Sequence, residues 1–256
     1  MKGAAAIIRK ELRVYFLSPI AYVVLGIFLA VMGIIFSKFI AIYQQYNAAQ
    51  RFGQAQGVTL DKVAQYLYQN MAFILCFVTP FLTMKLFAEE RRQHTLELLF
   101  TAPIRGYELV LGKFFAALML MLSMVAVSFI YVLFMIMWGN PDLNIIGTTY
   151  LGMILSLACY ISVGALISAL TSSQAIAAVW TFIVLLMLWL LQSLGQGAGT
   201  WMGVDWGVVL PYLSPLQHFT TFSQGLVHIK AIVYFLTFTT FMLFLTQRVV
   251  ESNRWR

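Results

Sequence analysis

"FFAALMLMLSMVAVSFIYVLFMIMW", residues 114–138, runs for twenty-five positions without a charged side chain. About 20 mainly apolar residues in a helix cross the roughly 30 Å hydrocarbon layer of a bilayer, so this run is long enough to span one. It is apolar on both phases, whereas a barrel strand alternates apolar and polar positions over about ten residues. A backbone in hydrocarbon must satisfy its own hydrogen bonds, and a helix does so within one segment. The run therefore predicts an integral membrane helix. Composition agrees, since 61% of the 256 residues are apolar and 10% charged, against about 45–50% apolar in soluble domains.

Outward from this run, five more segments have the same character: 20–42, 66–87, 150–170, 176–194 and 229–246. The expected fold is an all-α integral membrane protein, one transmembrane domain over residues 1–256 with six spans. Lys and Arg concentrate in short cytoplasmic loops. With six spans, Lys2, Arg9, Lys10, Arg13, Lys85, Arg91, Arg92, Arg105, Lys113, Arg248, Arg254 and Arg256 fall on one side, against Lys38, Arg51, Lys62 and Lys230 on the other. Both termini are thus expected in the cytoplasm. The net charge of +7 is spent flanking apolar runs rather than forming the solvated patch of a nucleic-acid binder, so no nucleic-acid partner is expected.

On the outer side, 43–65 reads as a polar, Gln-rich connection and 195–228 as a long loop, with Trp201 and Trp206 at headgroup level. Within that loop "YLSPLQHFTTFSQG", residues 212–225, is too apolar for a free loop and too interrupted for a span. It is expected as short helices dipping into the outer leaflet, buried against protein.

The opening residues 1–18 do not read as a signal peptide, because their charges extend to Arg13 and no small-residue cleavage site follows a short apolar core. At 100° per residue, Ala4, Ala5, Ile8, Leu12, Tyr15 and Phe16 share one arc and Lys2, Arg9, Lys10 and Arg13 another, with Glu11 outside the basic arc. That is the pattern of an amphipathic helix lying on anionic headgroups. Ser18-Pro19 then breaks it, since a residue ahead of Pro leaves the helical region.

The chain's charge gathers just before residue 114. "EERRQHTLELLFTAPIRGYELVLGK", residues 89–113, holds eight of its twenty-five charged residues. On the helical wheel Glu90, His94, Glu97 and Thr101 form a polar stripe, and Leu96, Leu99 and Phe100 an apolar one. A helix with both stripes can seat its apolar side on a partner while its charges set the register. Pro103 and Gly106 end that helix, and a second begins near Tyr107. The result is a bent finger between the second and third spans.

This stretch closely resembles the cytoplasmic loop of ABC-2-type transporter permeases: Glu-Arg, then Gly-Thr-Leu-Glu-Leu-Leu, a Pro-centred break, then Gly-Lys. Residue 94 departs from the pattern, with His for Gly, which implies a straighter finger. The end of the chain, "SPLQHFTTFSQGLVHIKAIVYF" with the terminal "NRW", is similar to the gliding-motility (GldF-like) branch of those permeases. The resemblance implies a type V exporter-like architecture, with an N-terminal elbow helix carrying Arg9, Lys10 and Arg13. It implies a bacterial inner-membrane protein that pairs with a second permease copy or a homologous permease and with two copies of an ABC ATPase subunit. ATP and Mg would bind in that ATPase, and no cofactor in this chain. By position, Glu89, Glu90, Arg91 and Arg92 would link the second span to the elbow and partner. Thr95, Leu96, Glu97 and Leu98 would form the coupling helix, Pro103 the bend, and Gly112 and Lys113 the entry to the third span. The implied function is coupling of ATP hydrolysis elsewhere to export of an amphipathic or lipid-like substrate. The alternative is an ABC-coupled assembly component that moves no solute.

"GYELVLGK", residues 106–113, is not a phosphate loop. Five residues instead of four separate Gly106 from Gly112, and Phe114 replaces the magnesium-binding hydroxyl. His94, His218 and His228 lie far apart with no Cys or carboxylate at helical spacing, so no metal site is expected. Cys76 and Cys159 read as small core residues. A secondary transporter would need charged groups near mid-membrane, and the spans offer little of that kind.

Overall fold

The computed structural model describes residues 2–51, 59–93, 106–139, 141–197, 199–201 and 204–252. Helix α1 (Lys2–Leu17) is followed by α2 (Pro19–Arg51), α3 (Leu60–Thr83), the short α4 (Ala88–Arg92), α5 (Gly106–Val127), α6 (Phe129–Trp138), α7 (Leu143–Leu170) and α8 (Gln174–Gln196). A ribbon of two two-residue strands, β1 (Thr200–Trp201) and β2 (Val204–Asp205), precedes α9 (Trp206–Leu213), α10 (Pro215–Ser223) and α11 (Ile229–Ser252). Among the described residues, six stretches are long and apolar enough to cross a membrane: Ala21–Ala48, Leu60–Arg92, Gly106–Met137, Leu143–Leu170, Gln174–Gly195 and Ile229–Ser252. The structure is thus the expected nearly all-helical bundle of six candidate spans.

The helices outrun the apolar segments. α2 continues nine residues past position 42, because its polar extension is rich in Gln and Ala, which propagate a helix at little cost. α3 begins at Leu60, where Thr59 is extended and Asp61 places a negative charge on the positive end of the helix dipole. Asp61 also accepts the Asp142 amide at 2.9 Å, tying the start of α3 to that of α7.

α7 is the central post, packed against α3, α5, α8, α10 and α11. Met153, Leu157 and Ile161 on it are fully buried. Small residues let its neighbours close in. A Cβ at Gly164 would overlap the Thr83 side chain, and one at Gly152 would stand 2.6 Å from Phe222 Cβ. The small-xxx-small spacing of Gly164 and Ser168 therefore serves contact inside the chain. α2 and α8 are peripheral, and their outer faces present Val23, Ile27 and Ile34, and Ile176, Val179 and Met187. Acyl chains are a suitable solvent for such faces.

The third candidate span is jointed. Ser128 interrupts the helix between α5 and α6, and its hydroxyl donates to the Val125 carbonyl at 2.6 Å. Such back-bonding competes with the helical ladder. Beyond the joint, the Tyr131 hydroxyl donates to the Leu29 carbonyl of α2 at 2.8 Å.

α9 and α10 form a hairpin broken at Ser214-Pro215, with Pro at the start of α10, where its missing N–H costs nothing. The hairpin packs on α8 and α7, and side chains tie it down. The Tyr234 hydroxyl donates to the Leu213 carbonyl at 2.6 Å, His218 stacks on Tyr234 with centroids 4.1 Å apart, and the Thr148 hydroxyl bonds the Phe222 carbonyl at 2.9 Å. Burial pushes the His218 imidazole below its ordinary pKa, opposed by its 2.9 Å hydrogen bond to the Tyr212 carbonyl.

Candidate functional site at the root of the finger

α3 ends at Thr83, and residues 84–93 turn away from it and include the first residues, 89–93, of the predicted finger. Two side chains fix this turn to α7. The Ser168 hydroxyl accepts from the Phe87 and Ala88 amides at 3.0 and 3.1 Å and donates to the Met84 carbonyl at 3.2 Å. Arg91 Nη1 donates to the Ala169 and Leu170 carbonyls at 3.2 and 3.0 Å. A guanidinium there satisfies carbonyls that a helix end leaves unpaired and sits at the negative end of its dipole.

The third side of the root is electrostatic. Lys113, in the second turn of α5, is 2% exposed, although as a topology signal it would be expected in water. Its Nζ lies 2.9 Å from Glu90 Oε1 on α4 and 3.1 Å from Glu11 Oε1 on α1, and 5.4 Å from the Phe87 ring centroid. A buried ammonium is tolerable only when paired and hydrogen-bonded, and here two carboxylates from two other helices do both. Burial first, then the charges of Glu11, Glu90 and Glu89, hold the Tyr15 phenol well above the usual tyrosine range, so it stays protonated beside them.

Next to Lys113, Gly112 lets α1 lie directly on α5. A Cβ there would stand 2.9 Å from both Cβ and Cγ2 of Ile7 and 3.3 Å from the Ala4 carbonyl oxygen. Gly106 at the start of α5 abuts Glu251 near the end of α11. Helices α1, α4 and α5 thus meet at one charge cluster.

A family model described as an ABC-2 family transporter protein matches residues 5–250. The chain belongs to the ABC-2 family of transporter proteins. It is a multi-pass membrane protein and the transmembrane subunit of an ABC transporter, and the family implies association with an ABC ATPase partner. No curated protein matches the chain.

As an ABC-2 permease the chain has its expected site residues in three groups. Glu90 and Lys113 meet directly, Arg91 holds α7, and Gly112 carries the elbow contact; Glu89 is half-buried beside them, and Arg92 is exposed. Arg9, Lys10 and Arg13 lie on the exposed side of α1. His94, Thr95, Leu96, Glu97, Leu98 and Pro103 lie outside the described residues.

The face of α1 differs from the wheel reading. Gly3, Ala4, Ile7, Ile8, Glu11, Leu12 and Tyr15 pack inward, while Ala5 and Phe16 of the expected apolar arc are exposed. The wheel put Glu11 among misfits because it counted charge as exposure, whereas Lys113 makes an inward carboxylate favourable. Glu11, Ile7, Ser168 and Phe87 are residues of this candidate site that sequence reasoning missed. The available signal was a lone acid on the inner side of an otherwise basic helix.

Proposed function

We propose that the chain is the permease subunit of an ATP-driven exporter, moving an amphipathic or lipid-like substrate on energy from a separate ATPase. In this reading Thr95, Leu96, Glu97 and Leu98 form a coupling helix seated in a groove of the ATPase, Pro103 sets its bend, and Glu89 and Arg92 flank it. Two ATPase copies bind ATP and Mg, and this chain binds neither. It pairs with a second copy or a homologous permease in the bacterial inner membrane, termini in the cytoplasm, within the gliding-motility branch.

The observation that carries the reading is the buried Glu11–Lys113–Glu90 cluster. It supports a lever whose root cannot move without the elbow helix and the third span, because separating the ions would leave buried charge unpaired. Arg91 and Ser168 add α7 to the same body. A pull on the finger is then delivered to the bundle, where peripheral α2 and α8 face lipid or a second copy.

The test is the purified permease–ATPase complex in liposomes. Export predicts ATP-dependent movement of an amphiphile, abolished by Leu96→Arg or Glu97→Arg together with ATPase release, while the six-helix chain stays folded. ATPase retention in both variants overturns the finger assignment. Intact ATPase activity with no transport across a broad amphiphile panel overturns export in favour of an assembly role. A cysteine replacing Thr101 should react with impermeant thiol reagent only in inverted vesicles, and labelling from outside overturns the orientation.

A further inference from the structure

Far from the finger root, a cleft of about 890 Å3 lies between the α9–α10 hairpin and the start of α11. This volume falls within the roughly 300–1,000 Å3 of small-molecule sites. Its two walls are held together, since Tyr234 of α11 donates to the Leu213 carbonyl and stacks on His218 of the lining. Val208 and Pro211 line it from α9, and Val227 and Ile229 from the entry of α11. Val208, Val227 and Ile229 are exposed.

The same lining includes His228 and Lys230 and no carboxylate. Both side chains are exposed, and among the described residues neither has an ion-pair or hydrogen-bond partner. The acid next to the lining, Asp205, is engaged in capping α9, where its Oδ1 accepts the Gly207 amide at 3.0 Å. The cleft therefore joins an uncovered apolar wall to an uncompensated positive charge.

Its place in the chain puts that charge at the membrane boundary. Ile229 opens a candidate span of 24 residues, so Lys230 stands at its mouth. Trp206, a residue type that settles at headgroup level, opens α9. A fitting ligand must bring negative charge to Lys230, an acceptor to the His228 N–H, and an apolar portion to cover Val208, Val227 and Ile229. A free anion leaves the apolar wall bare, and a neutral amphiphile brings Lys230 no counter-charge. A zwitterionic head adds an ammonium for which the lining holds no carboxylate. A lipid phosphate meets all three demands, since its oxygens accept charge-assisted hydrogen bonds. We infer that this cleft binds a net-anionic phospholipid, its phosphate at Lys230 and His228 and the start of its acyl chains along Val208, Val227 and Ile229. Its role as cargo rests on the exporter reading; binding needs no nucleotide.

The experiment is photolabelling of the full chain in phosphatidylcholine nanodiscs with a diazirine-bearing phosphatidylglycerol. The expected result is saturable labelling of peptides holding residues 207–212 or 227–231. Unlabelled phosphatidylglycerol displaces the probe there, and added phosphatidylcholine and free glycerol phosphate do not. Lys230→Gln should weaken this labelling about fivefold, the equivalent of roughly 1 kcal/mol, His228→Gln should weaken it in the same direction, and Lys230→Arg should preserve it. Labelling of α1 peptides, which Arg9, Lys10 and Arg13 attract by charge alone, should not change in any of the three variants. Non-saturable labelling, equal displacement by phosphatidylcholine, or unchanged affinity in both Gln variants would overturn the inference, the wild-type displacement series deciding if a variant fails to fold. Displacement by glycerol phosphate would assign the cleft to a soluble anion and overturn the lipid. Saturable lipid binding without ATP-driven movement of any amphiphile sinks the exporter reading alone, whereas transport of an amphiphile with non-saturable labelling sinks the cleft assignment alone.

Discussion

The Lys113 ammonium stands 2.9 Å from the Glu90 carboxylate, joining the entry of α5 to the start of the finger. With Glu11 on its other side at 3.1 Å, this lysine lies between two acids drawn from helices far apart in the chain.

Replacing Lys113 with Met should therefore cost about 3–5 kcal/mol, because it leaves two carboxylates facing each other in a dry site. The triple variant Lys113→Met, Glu11→Gln, Glu90→Gln should recover most of the loss. Denaturant unfolding in mild detergent measures both, and a single variant as stable as wild type would show that the cluster holds nothing together.

Gly112→Ala sets two effects against each other. Alanine gains up to about 1 kcal/mol of helix propensity, while its methyl would press on Ile7 Cβ and the Ala4 carbonyl, neither of which is a pliant side-chain tip. Overpacking of this kind costs about 1–3 kcal/mol, so the clash wins and α1 lifts from α5. Trypsin should then cut after Arg9, Lys10 and Arg13 several-fold faster than in wild type, with the span region still resistant.

Tyr15 gives the alkaline limit. Its proton is held more tightly in the fold than in the unfolded chain. The stability it contributes is therefore full below the ordinary tyrosine value near about 10 and is lost as pH rises beyond it. Stability–pH curves above that point should fall less steeply for Tyr15→Phe than for wild type. Parallel curves would place the phenol in water.

Arg91→Ala removes two hydrogen bonds from the carbonyl end of α7. A loss of about 1–2 kcal/mol is expected, with faster amide exchange over residues 165–170. Arg91→Lys should retain part of the charge effect at the carbonyl end of α7.

What the sequence disclosed follows from which forces are local. Spans show in any window of about 20 residues, because lipid selects composition regardless of neighbours, and residues 114–138 announced one without help. The finger's stripes are a reading of the same local kind, and all of their residues but Glu90 lie outside the described ones. The Glu11–Lys113 bond joins positions 102 apart, and a helical wheel of residues 2–16 contains no trace of its partner. Ser168 looked like half of a packing motif; its service to the Phe87 and Ala88 amides depends on where α3 stops. The helical run from 43 to 51 was obscured because its polarity resembles a loop, while the backbone simply had no reason to end the helix.

The Ser128 joint divides the third membrane crossing between two supports. Its α5 segment is pinned to α1 by Gly112 and Lys113, and its α6 segment hangs from α2 by the Tyr131 hydroxyl. The two halves of one span are therefore answerable to different neighbours, α5 to α1 and α6 to α2.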